Sequence, residues 1–81
     1  MQIIVKFFST LKFIIGVDEV TLDIPQGSSV AELLNMLCTK YGFSPQLTDN
    51  IFAIIGQTNS PREQIIKDGD TVLLLHHLGG G

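Results

Sequence analysis

SVAELLNMLCTKYG, residues 29–42, carries a complete helix signal within fourteen residues. Ser29 and Glu32 have the S-x-x-E form of a capping box, in which a hydroxyl and a carboxylate each satisfy a backbone N–H at a helix start. Val30, Leu33, Leu34, Leu37 and Tyr41 then recur at helical spacing and form a single apolar stripe. Gly42 stands where a helix commonly ends in a left-handed residue. The spacing predicts one helix over residues 30–41.

On either side of this segment the pattern changes to strands. IIVKFF (Ile3 to Phe8) is β-branched and aromatic, and EVTLDI (Glu19 to Ile24) alternates, with Val20, Leu22 and Ile24 on one side. The segment between them holds Gly16, and the two runs are expected to form a hairpin with a long or bulged turn. After the helix, FSPQLTDN (Phe43 to Asn50) has loop composition, and IFAII (Ile51 to Ile55) reads as a short buried strand. GQTNSPREQ (Gly56 to Gln64) is turn-like, and the tight-turn signal Asp68-Gly69-Asp70 leads into TVLLLHH, a last strand. Strand, strand, helix, strand, strand is an α+β plan: a mixed sheet of about four strands with one main helix on one face.

One helix can cover only one face. In the first strand Ile3, Val5 and Phe7 share a side, and Ile4, Lys6 and Phe8 share the other. Lysine is rarely buried unpaired, so the Lys6 side is the uncovered one, and Phe8 stands on it. The last strand is apolar on both sides. The uncovered face therefore carries an apolar patch of Phe8 with either Leu73 and Leu75 or Val72 and Leu74, a partner surface unless a loop covers it.

With 81 residues there is room for one domain, expected over 1–78 with 79–81 as a flexible glycine tail. A net charge of −3 gives no electrostatic support for a nucleic-acid role. Lys6 and Lys12 break the apolar start, no signal-peptide cleavage site follows, and no run reaches the roughly 18 apolar residues a membrane span needs. The single cysteine, Cys38, excludes an internal disulfide and fits a reducing compartment, so a cytoplasmic location without membrane or nucleic acid is expected.

No self-contained active site emerges. His76 and His77 are neighbours and point to opposite sides of a strand, so they do not share a metal, and no metal site is expected. Cys38, one turn beyond Leu34, reads as a core-edge thiol. The serines lack a nucleophile elbow, GQTNSP lacks a phosphate-loop lysine, and Asp18, Glu19, Asp23, Asp68 and Asp70 read as solvated charges. The ending HHLGGG differs. Leu78 and Gly79 would lead off the domain, and without a Cβ the last three residues can thread a narrow channel. That would leave the Gly81 carboxylate open to chemistry supplied by another protein.

This order of elements with a terminal Gly80-Gly81 resembles the ubiquitin-like β-grasp proteins, and at this length their sulfur-carrier branch. VKFFSTLKFIIGVDEVTLDIPQGSSVAELLNML and IIKDGDTVLLL resemble the molybdopterin synthase small subunit (MoaD) family. VLLLHHLGGG and SPREQ (Ser60 to Gln64) are similar to the thiamine sulfur carriers (ThiS), which typically lack part of the 9–19 connection. The MoaD pattern has two prolines where His76 and His77 stand, and a small residue at position 79. The resemblance implies a carrier or co-substrate, at most the small non-catalytic subunit of a synthase, and not an enzyme. By the same resemblance it would bind no cofactor itself. A ubiquitin-activating-type adenylyltransferase would use ATP to adenylate the Gly81 carboxylate, and a sulfur donor would convert it to a thiocarboxylate. The molybdopterin synthase large subunit would then use the sulfur in molybdenum or tungsten cofactor synthesis; thiazole synthase is the alternative recipient, and protein modification the alternative fate. The family's partner-holding residues match Phe8 and Leu75 by position, which favours Leu73 and Leu75 over Val72 and Leu74. Gly80, Gly79 and Leu78 would enter the partner.

Overall fold

The computed structural model describes residues 1–76. The predicted tail (Gly79, Gly80, Gly81), with His77, Leu78 and the expected domain boundary at 78, lies outside the described residues. The elements in chain order are β1 (Gln2–Phe8), α1 (Thr10–Ile15), β2 (Glu19–Asp23), α2 (Val30–Tyr41), α3 (Pro45–Thr48), β3 (Ile51–Ile55), β4 (Thr58–Ser60) and β5 (Thr71–His76). They build one mixed sheet in the order β2-β1-β5-β3-β4. β1 and β5 run parallel at its centre, and the other three pairings are antiparallel.

α2 forms as the sequence dictates. Ser29 Oγ accepts from the Glu32 N–H at 3.2 Å, and Glu32 Oε1 accepts from the Ser29 N–H at 3.1 Å, which closes the capping box. The two preceding orphan amides of the first turn are met by a distant segment. Val30 N–H donates to Gln64 O at 2.9 Å and Ala31 N–H to Arg62 O at 3.0 Å. The SPREQ stretch therefore serves as the helix's N-terminal seat, and the Arg62 guanidinium ties it to the carbonyls of Thr48 and Ile51. Gly42 ends the helix at φ 74°, a left-handed conformation a Cβ would strain, with its N–H on Cys38 O.

Val30, Leu33, Leu34 and Leu37 of α2 are buried against Ile3, Val5 and Phe7 of β1, Val72 and Leu74 of β5, and Ile51 and Ala53 of β3. Tyr41 closes the far end edge-on to Phe7, with ring centroids 6.3 Å apart. At about 1.5–3 kcal/mol for each large side chain removed from water, this one layer supplies most of the folding force available to a domain of this size.

Three departures from the sequence reading have local causes. The β1–β2 connection is not a simple long turn: it contains α1, whose Leu11 is buried and whose Ile15, one turn on, packs against the core. TLKFII is too short to show a helical stripe among its apolar neighbours. FSPQLTDN holds the single turn α3, capped by Ser44, whose hydroxyl accepts from the Gln46 N–H. The sheet has five strands, because Thr58–Ser60 within the turn-like segment pairs with β3 as an edge strand.

Ser9 joins β1 to α1 at φ 57° and ψ −138°, the one positive φ outside glycine among the described residues. A non-glycine residue held there costs about 1–3 kcal/mol. Ser9→Gly should raise stability by roughly 1 kcal/mol net of glycine's greater unfolded entropy. That corresponds to a melting temperature about 4–8 °C higher, read by calorimetry; a lower one would show that Ser9 is not strained.

Candidate functional site

Registration across the sheet assembles the uncovered face row by row. Phe8 of β1 pairs with Leu75 of β5, which pairs on its other side with Phe52 of β3. The next row runs Glu19, Lys6, Leu73, Ile54, Asn59 across all five strands, and the next holds Thr21, Ile4 and Thr71. Paired residues project from the same side of a sheet, with Cβ atoms about 4.5–5.5 Å apart. Phe8, Leu75, Phe52, Leu73 and Ile54 thus form one apolar patch, flanked on the β2 side by Glu19 and Lys6. Phe8 is 40% exposed and Phe52 45%, while Leu73, Leu75 and Ile54 are half-buried. No described loop buries the two phenylalanines.

Val72 and Leu74 are in the core, at 0% and 1% exposure, which settles the choice that strand patterning left open. Phe52 and Ile54 were not anticipated. IFAII has no polar residue to mark its outer side, so it reads as buried throughout, whereas only Ile51 and Ala53 are. Antiparallel registration against Leu73 and Leu75 would have exposed the alternation.

The other candidate groups take structural places. Asp68 Oδ1 accepts from the Gln2 N–H and Asp70 Oδ2 from the Lys67 N–H, both at 2.8 Å, so these turn carboxylates cap backbone donors instead of being simply solvated. Cys38 is half-buried, and burial pushes its thiol pKa up, which disfavours the thiolate a nucleophile needs. Among the described residues no group of three or more His, Cys, Asp or Glu is placed to hold a metal ion. No described helix is long and apolar enough to cross a membrane. His76 is half-buried, and its Nδ1 and Thr10 Oγ1 share a hydrogen bond of 2.7 Å.

The strand carrying Leu73 and Leu75 is also the strand that leads to the glycine tail. Gly81 stands six positions after Leu75 in the sequence.

A family model described as the ThiS family matches residues 5–81, nearly the whole chain. The chain belongs to the ThiS family. Solved structures agree on the fold. SAMP1 from Haloferax volcanii superposes with a TM-score of 0.81 at 20% identity, covering 100% of both chains. A protein described as putative molybdopterin converting factor, subunit 1, from Pyrococcus furiosus gives 0.81 at 18% identity, covering 96% of this chain and 99% of its own. Urm1 from Trypanosoma brucei gives 0.75 at 21%, covering 99% and 95%. At these identities the likeness is one of architecture: the ThiS-family chain has the ubiquitin-like β-grasp fold. No curated protein matches the chain.

Proposed function

We propose that this ThiS-family protein is a sulfur carrier whose reactive group is the Gly81 carboxylate. The observation that supports it is a family match that runs through Gly79 and Gly80 to Gly81 itself. A carboxylate is a poor electrophile, and an activating enzyme of the ubiquitin type corrects this. One carboxylate oxygen attacks the α-phosphorus of ATP, pyrophosphate leaves, and the resulting acyl-adenylate is open to hydrosulfide supplied by the donor. AMP departs and the thiocarboxylate remains. The carrier itself is a co-substrate: it supplies the arm and a docking face of Phe8, Leu73 and Leu75, widened by Phe52 and Ile54.

The acceptor we assign is a pterin precursor on a molybdopterin synthase large subunit, because residues 5–37 and 65–75 follow the MoaD pattern and the long connection that houses α1 is retained. A second reading, delivery to thiazole synthase, is favoured by the ThiS family match together with the VLLLHHLGGG ending. The cell should contain an adenylyltransferase for which this chain is the substrate. ATP–pyrophosphate exchange by that enzyme should depend on adding the carrier. Exchange that is indifferent to the carrier would contradict the proposal. Incubating the loaded carrier with each acceptor enzyme in turn should give sulfur transfer to the pterin enzyme; transfer only to the thiazole enzyme would favour the second reading.

A further inference from the structure

The parallel pairing of β1 with β5 stops at Phe8 and Leu75, whereas the β3 side continues one residue further, to Ile51 opposite His76. At His76 the strand has therefore lost its neighbour on the β1 side. The chain turns there through the positive-φ Ser9 into α1, and the Thr10 hydroxyl meets the His76 ring at 2.7 Å across a separation of 66 residues. The contact is partly buried, and the hydroxyl serves as donor or acceptor according to the ring's tautomer. α1 cannot easily drift from this position, since Leu11, the next residue, is fully buried. The bond thus joins a fixed element to the last described residue of β5.

We infer that Thr10 is a positioning residue: through His76 it holds the C-terminal end of β5, the point from which the arm starts. This rests on the carrier reading above. With that point held, an activating enzyme meets more of the carrier in a bindable form. Releasing it lowers that fraction, and the apparent affinity falls in proportion. Chemistry on the bound carboxylate is untouched, so the cost appears in KM and not in kcat.

The test is the kinetics of adenylation on full-length protein, well below the melting temperature of every variant. Thr10→Val keeps the shape and removes the hydroxyl; its KM should rise about three- to ten-fold, the worth of one hydrogen bond, with kcat unchanged. Thr10→Ser should restore the wild-type KM. His76→Phe should give the same rise, and the double variant should be no worse than either single one, because both remove one interaction. Wild type adenylated with an unchanged KM in Thr10→Val and His76→Phe overturns this inference alone. So does a Thr10→Ser that behaves like Thr10→Val. A wild-type carrier that is not adenylated at all overturns the carrier reading and this inference with it.

Discussion

Removal of Gly80 and Gly81 should abolish adenylation and thiocarboxylate formation outright while leaving the melting temperature where it was. The core runs from Ile3 to Leu74, and β5 is registered with β3 as far as His76. Glycine has no side chain, so removing two of them deletes no apolar side chain. The loss would be of reagent and not of fold. A truncated protein that still supports pyrophosphate exchange would place the reactive group elsewhere. One that unfolds would show that the tail is part of the domain.

The second large effect should separate two adjacent phenylalanines. Phe7 is 2% exposed and Phe8 is 40% exposed, because alternation along β1 sends one under α2 and the other onto the open face. Phe7→Ala should cost about 3–5 kcal/mol, as for other buried aromatic truncations. A stability of roughly 0.05–0.15 kcal/mol per residue gives about 4–12 kcal/mol for a chain this long, so the variant should lose about a quarter of its stability or more. Phe8→Asp should change stability by no more than about 0.5 kcal/mol, as surface substitutions do. It should nevertheless weaken binding to the acceptor enzyme by 2 kcal/mol or more, about 30-fold, since it puts a charge beside Leu75 at the centre of the patch. Chemical denaturation and titration calorimetry read the two effects. Equal stability losses from both variants would mean that the open face is covered.

The contrast between Phe7 and Phe8 also marks how far the sequence could be read. The element with a full set of local signals, α2, lies where its capping box and glycine put it, because those signals act within one turn of chain. Lys6 identified the open face since a single charge constrains a whole strand by alternation. Phe52 and Ile54 escaped because an all-apolar run has no such marker, and its two sides become distinct only when β3 pairs with β5. α1 escaped for a related reason: it is held by Leu11 and Ile15 reaching a core that local sequence does not display. The Thr10–His76 bond is a purely tertiary fact. The pattern is physical: short-range hydrogen bonds and period-two alternation are written locally, whereas pairing registers are set by the packed whole.

The chemistry of the terminal carboxylate can be weighed directly. Wild-type carrier incubated with the activating enzyme, ATP and a sulfur donor would be digested and the C-terminal peptide weighed. The account predicts replacement of one oxygen by one sulfur at Gly81, dependent on ATP and absent without the activating enzyme. A C-terminal peptide of unchanged mass, from a reaction in which pyrophosphate release shows that the enzyme engaged the carrier, would contradict the account.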